Sequence, residues 1–482
     1  MLGELIREAA TRFGDRPAYV GEDGSTFTYA DLDRVSDEVA AGLAARGIGE
    51  GDVVALVLPT IPAYPVLYAA IAKLGAVMAG VNTRLSDAER GAVLAVAEPK
   101  LVIDGDDPLE GLRDAGRIGP GDLVEDDPER PVAIVFTSGT TGTPKGALFC
   151  NRQLSAIAAI DVGDRWDGGG TSLAGTSLAH LGFVTKFAGN IRLGATTHMV
   201  TRWRADDALR FTAAHRLSSV AGIPTQVALM LRVPDFDAHD LSSVRAVVMG
   251  GGPATPALVR EARARFGAPV AVRYSCTEAA IGVGTSFTDP PEDAEESVGR
   301  PLAGVELAVL DPDDDARSLP PGEVGAVCLR SAAVMSGYWG DDTATKAAFT
   351  DDGFVRTGDL GWVDDRGRLH LAGRTKEMYV RGGYNVFPLE VEAVLSSHAQ
   401  VAAVAVVPVA DAVMGEKGVA VVVPVDTTDP PTLDDLRAFA APHLATPKLP
   451  EAIRVVDELP LTAMEKLDRR RLAEMITDTR VR

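Results

Sequence analysis

The stretch Ala133-Ile-Val-Phe-Thr-Ser-Gly-Thr-Thr-Gly-Thr-Pro-Lys145-Gly146 sets how the rest of the chain is read. Its apolar start is a strand candidate over 132–136, and a loop of Thr, Ser and Gly follows at once. Such a loop offers many backbone N–H groups, four threonine hydroxyls, one serine hydroxyl and the ammonium of Lys145. Glycines let the backbone curl around oxygen atoms, which suits a polyphosphate. The G-x-x-x-x-G-K-[ST] spacing of a Walker loop is absent. A plain surface loop is the bland alternative, but a run this long between a buried strand and a helix is rarely accidental.

Two more loops of this kind lie further along. Met249-Gly-Gly-Gly-Pro-Ala-Thr255 follows the strand-like run 244–249, and three glycines permit a flat ligand to lie on the backbone. A tight strand-to-helix turn explains it equally well. Tyr274-Ser-Cys-Thr-Glu278 follows the run 270–273 and supplies an aromatic face, hydroxyls and a carboxylate. Adenine stacking with Mg²⁺ held by Glu278 is one reading. A helix start capped by Thr277 is the other. In open α/β sheets ligands bind just beyond the carboxyl ends of strands, so the three loops nominate one shared site.

Helical patterns alternate with β-branched runs along the first three quarters of the chain. Leu2, Leu5, Ile6, Ala9 and Phe13 fall at helical spacing, which predicts an amphipathic first helix. Residues 28–48 form a second helix, with Thr28 and Asp31 as caps and an end near Gly47. Residues 52–59 read as a buried strand and 63–80 as a further helix. The alternation predicts an α/β architecture with largely parallel sheets. Residues 104–130 and 311–321, acidic and rich in Pro and Gly, read as exposed connections. Beyond Gly373 the texture changes to two dense strands, a helix and a short final strand, after the charged, Gly-rich linker 373–383.

Composition bounds the partners. The 482 residues suggest about three domains by length alone. A net charge of −21 repels phosphate backbones and anionic lipid, which argues against nucleic acid and membrane surfaces as partners. The stretch 66–81 is interrupted by Lys73, Gly75 and Gly80 and is too short to cross a bilayer. The N-terminus has no basic region followed by an apolar core. The three cysteines, Cys150, Cys276 and Cys328, are too far apart for a CxxC site, and a reducing, cytoplasmic setting is expected. The 49 glycines, about one residue in ten against the usual roughly 7%, fit several loops that approach a ligand closely.

Four later segments complete the set: Thr357-Gly-Asp359, Gly373-Arg374, the stretch from Gly373 to Glu392, and Leu461-Thr-Ala-Met-Glu-Lys466-Leu-Asp before a basic run. In order and spacing the whole resembles the adenylate-forming superfamily: acyl-CoA synthetases, peptide-synthetase adenylation domains and luciferases. The loop at 137–146 is the most specific motif, and the resemblance covers nearly the full length. It implies an α/β fold: a large N-terminal domain of stacked α/β subdomains (1–374) and a small, mobile α+β C-terminal domain (375–482).

The resemblance also implies roles. Thr137, Ser138, Gly139, Thr140, Thr141, Gly142 and Lys145 would bind the β- and γ-phosphates of ATP, and Thr137 and Glu278 would hold Mg²⁺. Gly250, Gly251, Gly252 and Tyr274 would frame the adenine, with Ser275 and Thr277 in the same ATP site. Asp359 and Arg374 would bind the ribose. Lys376 matches the hinge, Lys466 the lysine bridging carboxylate and α-phosphate, and His180 the gate between the ATP and acyl sites. Without the family, a satisfied core histidine is the preferred reading of His180.

Expected, then, is an acid–CoA ligase that uses ATP, Mg²⁺ and CoA on a small carboxylic acid. A stand-alone enzyme loading a carrier protein in trans is the alternative, and a homodimer is left open. Arg381 and Lys417 would meet CoA phosphates, while no arginine or lysine is obviously placed for a second substrate carboxylate, Lys186 and Arg192 being the candidates. Ser275 and Glu465 stand where the family has glycine, which raises a catalytically weakened relative as a third reading.

Overall fold

The computed structural model describes residues 2–113, 115–119, 123–137, 144–375, 377–462 and 466–477. Two α/β layers stand at its centre. The first is a six-stranded sheet whose strands Leu101–Ile103, Val53–Leu56, Val77–Gly80 and Pro131–Thr137 run parallel. Lys145–Cys150 and Gly337–Tyr338 then add on antiparallel. The second has Ser219–Gly222, Ala246–Gly250 and Val270–Tyr274 in parallel, followed by two short antiparallel strands. A four-stranded sheet joins Pro17–Gly21 to Thr196–Met199, and an antiparallel five-stranded sheet spans 306–374. The sheets are thus mixed rather than largely parallel.

Local chemistry explains most elements. The helix Tyr29–Ala45 starts at a capping box, where Thr28 Oγ1 accepts from the Asp31 amide and the Asp31 carboxylate accepts from the Thr28 amide. Its apolar stripe, including Leu32, Val35, Val39 and Leu43, is buried in the main core with Ile6 of the first helix, Leu2–Phe13. The segment 63–80 departs from expectation. The helix Ala63–Lys73 stops at Leu74, Gly75 turns the chain at φ +68°, and Val77–Gly80 is a fully buried strand. An all-apolar run has no period with which to separate the two.

Lys73 ends that helix with no side-chain exposure. Its ammonium donates to Asp33 Oδ1 at 2.6 Å and to Asp37 Oδ1 at 2.7 Å. Asp37, itself buried, also accepts from Arg7 and from Arg117. One carboxylate therefore ties three helices to the long connection 104–130. That connection carries no further strand or helix among its described residues, as expected. The 311–321 segment instead folds back as an exposed strand, Asp314–Ser318.

The C-terminal sheet pairs Val401–Asp411 with Gly415–Pro424 over almost their full length, and Ala452–Val455 joins alongside. Helices Pro388–Leu395 and Leu433–Ala440 cover it, and the core there begins at Tyr379. The linker 373–383 is less irregular than its composition suggests. Gly373 and Arg374 close one strand, Leu369–Arg374, and Tyr379–Arg381 forms another. Arg469, which opens the helix Arg469–Thr477, pairs with Glu377 at 2.9 Å and with Glu392 at 2.8 Å.

Candidate active site

Strand ends bring the predicted loops to one place. Thr137 closes its strand directly opposite Lys145, because the two flanking strands form an antiparallel pair rather than a strand-to-helix turn. Ser138, Gly139, Thr140, Thr141 and Gly142 lie outside the described residues, as does Lys376. The next strand out carries Tyr338, and the Lys145 ammonium rests 4.8 Å from the centre of its ring. The Tyr338 hydroxyl donates to Glu278 Oε1 at 2.7 Å. Burial first, and the Glu278 charge second, push the Tyr338 phenol well above its ordinary pKa, so it remains a donor.

Glu278 sits in a turn, not at a helix start, and its carbonyl accepts from the Met335 amide at 2.8 Å. Thr277 lies in the same turn, and Ser275 donates its hydroxyl to the Cys276 carbonyl at 3.1 Å. Thr137 Oγ1 reaches the Lys145 carbonyl only at 3.5 Å. A threonine hydroxyl and a carboxylate are hard oxygen donors, which suits Mg²⁺. That ion takes one or two protein ligands and completes its shell with water and phosphate oxygens.

A second constellation centres on Asp359. Asp359 and Arg374 face each other across adjacent antiparallel strands. Arg374 Nε donates to Asp359 Oδ1 at 3.0 Å, and the Tyr274 hydroxyl donates to Oδ2 at 2.7 Å. Burial, then the Asp359 charge, raise the Tyr274 pKa far above normal, which keeps the phenol protonated. Within the strand Val355–Val363, Thr357 fixes the backbone at Asp359 by donating to the Val327 carbonyl and accepting from the Asp359 amide. Gly250 ends its strand, and Gly251 adopts φ +79°, where a side chain would be strained.

Lys466 enters from the C-terminal part. A Cβ built on Gly251 would lie 4.0 Å from Lys466 Cε. The backbone around it closes on itself: the Thr462 amide donates to the Lys466 carbonyl at 2.7 Å, and the Lys466 amide donates to Thr462 Oγ1 at 3.3 Å. Desolvation first and the Arg374 charge second hold its ammonium below the ordinary lysine pKa, with Asp359 opposing. Glu465 lies outside the described residues. His180 Nε2 is 2.9 Å from Asn82 Nδ2, and burial, with a contribution from Lys466, lowers the ring to about 4.

The other candidate cations each stand beside an acid. Arg381 is engaged by Glu451 at 2.6 Å and Lys417 by Asp411 at 3.2 Å. Lys186 pairs with Asp161 at 2.7 Å, and Arg192 leans toward Asp164 at 3.7 Å. None of the four has its charge unmet. Two neighbours of the predicted residues escaped the sequence reading: Tyr338, on the strand paired beside Lys145–Cys150, and Asn82, just past the strand misread as helix.

Comparison with known proteins identifies the family. Residues 6–339 match the family model of AMP-binding enzymes, and residues 390–466 match the AMP-binding enzyme C-terminal domain. The chain belongs to this family, the adenylate-forming enzymes. It is 31% identical to a fatty acid–[acyl-carrier-protein] ligase, ScoC, of Streptomyces coeruleorubidus, over 94% of this chain and 92% of that protein. It is likewise 31% identical to a 2-succinylbenzoate–CoA ligase of Bacillus pumilus, over 95% of each. The ATP-bound crystal structure of MatB from Rhodopseudomonas palustris superposes with a TM-score of 0.89, at 27% identity, over 99% of this chain and 100% of that one. No helix among the described residues is long and apolar enough to cross a membrane.

Proposed function

We propose that the protein is an acid–CoA ligase that couples ATP cleavage to AMP and pyrophosphate with thioester formation. The observation that carries this is the meeting of Lys466 with Gly251, Arg374 and Asp359, since a lysine from one end of the chain stands beside the strand-end loops of the other. A carboxylate oxygen of the acid attacks the α-phosphorus, the bond to the bridging oxygen breaks, and pyrophosphate leaves. Carboxylates are weak nucleophiles, so the chain contributes alignment and charge neutralisation rather than a general base. Lys145 and the 137–145 loop hold the β- and γ-phosphates, Asp359 and Arg374 the ribose, and Gly250 to Gly252 with Tyr274 the adenine. Lys466 bridges the acid and the α-phosphate. Thr137 and Glu278 would hold Mg²⁺, which supplies further charge neutralisation when bound. A thiol sulfur then attacks the acyl carbonyl and AMP departs.

Lys466 and an incoming thiol need the same space at different times. Turning the C-terminal domain, 375–482, about Lys376 separates the two events. The distinct cores on either side of that segment support the division. The three free cysteines suit a reducing, cytoplasmic setting.

CoA is the favoured acceptor. The carrier-protein reading retains one specific support, the name of the Streptomyces relative. A panel of short aliphatic to aryl acids, scored by pyrophosphate release and then by thioester formation on CoA against a phosphopantetheinylated carrier, decides between them. No acid-dependent pyrophosphate release across the panel would defeat the proposal.

Tyr338→Phe offers a narrower test of the metal assignment. It deletes the hydrogen bond to Glu278 and leaves the ring beneath Lys145. Partners that orient a metal ligand typically contribute about 10–100-fold to affinity. The Mg²⁺ concentration for half-maximal rate should rise at least tenfold or so, with little change in KM for the acid. An unchanged Mg²⁺ requirement would place Glu278 outside the metal shell.

A further inference from the structure

Asn82 lies two residues beyond Val77–Gly80, a parallel strand of the first sheet, and is almost wholly buried. The Arg84 amide donates to its Oδ1 at 3.0 Å. A backbone amide cannot accept, so that contact fixes which end of the carboxamide is oxygen. The nitrogen end, Nδ2, is then the atom 2.9 Å from His180 Nε2. An amide nitrogen only donates, so Nε2 must present its lone pair.

We infer that Asn82 is a positioning residue that holds His180 as a neutral imidazole with its proton on Nδ1. An imidazolium would set N–H against N–H at Asn82, and Lys466, the charged side chain whose field reaches the ring, disfavours the same form. His180 therefore acts as a fixed hydrogen-bond donor through Nδ1 and does not take up protons during turnover. This consequence for catalysis rests on the proposed function, whereas the tautomer does not. Among the candidate groups, Asn82 thus governs the polarity of the ring at the boundary of the ATP and acyl sites.

Nitrogen-15 NMR of the imidazoles in the intact enzyme tests it, with His180→Gln used to assign the signal among the seven histidines. The expected spectrum has a protonated Nδ1, a bare Nε2 and no titration until the pH approaches about 4. Asn82→Asp replaces a donor by an anionic acceptor. It should move the proton to Nε2, lift the titration above about pH 6, and give the rate of pyrophosphate release an inflection there. Asn82→Ala should leave a mixture of tautomers and no such inflection. A wild-type ring protonated on Nε2, or an unchanged titration in Asn82→Asp, overturns the inference. Should that variant not fold, the wild-type spectrum decides alone. A correct tautomer in an enzyme that releases no pyrophosphate with any acid would defeat the proposed function and leave the role of Asn82 standing.

Discussion

Lys466→Ala is expected to remove acid-dependent ATP–pyrophosphate exchange while sparing thioester formation from supplied acyl-AMP. A preorganised charge aimed at the reacting phosphate is worth about 10²–10³ in rate, as removal of single stabilising donors elsewhere indicates. Lys466 is poised for this use because its amide and carbonyl are both taken up by Thr462, which aims the side chain from a closed turn. Its depressed pKa comes from desolvation and from Arg374, and phosphate oxygens entering beside it would oppose both and favour the charged form. Single-turnover measurement of each half-reaction is the check. Equal loss of both halves would show that Lys466 supports the structure rather than the first step.

Asp37→Ala should produce the largest loss of stability. The Asp37 carboxylate is shared by Lys73, Arg7 and Arg117, and Lys73 has no exposure at all. Deleting one partner of a buried ion pair costs about 3–5 kcal/mol, because the remaining charge stays buried without compensation. Here the ammonium would keep only Asp33, and the clasp on the 104–130 connection would open. Because the urea slope grows with the surface exposed and exceeds the roughly 1–3 kcal/mol per molar of small proteins, the unfolding midpoint of the N-terminal part should fall by about 0.5–1 M. Lys73→Met, which leaves Asp37 its two arginines, should cost less. The reverse order would mean that packing of the lysine stem, not the ion network, holds the three helices.

Legibility of the fold and the site followed chemistry that acts over short stretches of chain. The capping box at Thr28 and the strand-end loops at 137, 250 and 274 could be read because local hydrogen bonding and glycine geometry determine them. The strand Val77–Gly80 could not, since a run buried on both faces carries no period. That one misreading hid Asn82, which the strand-end rule would otherwise have nominated. Tyr338 was hidden for a different reason. It reaches Glu278 only because an edge strand from a distant part of the chain pairs beside Lys145–Cys150, and no local pattern encodes a partner nearly two hundred residues away. The acids beside Arg381, Lys417, Lys186 and Arg192 were equally hidden, because the fold and not the sequence brings them near.

Arg469 has a mechanical meaning. It clamps Glu377, the residue following Lys376, to Glu392 within the small domain, and it stands three residues past Lys466. In the rotation proposed about Lys376, the pivot and the working tip are therefore two points on one stiff crank. The residue after the pivot and the helix that follows the lysine would therefore travel together as the domain turns.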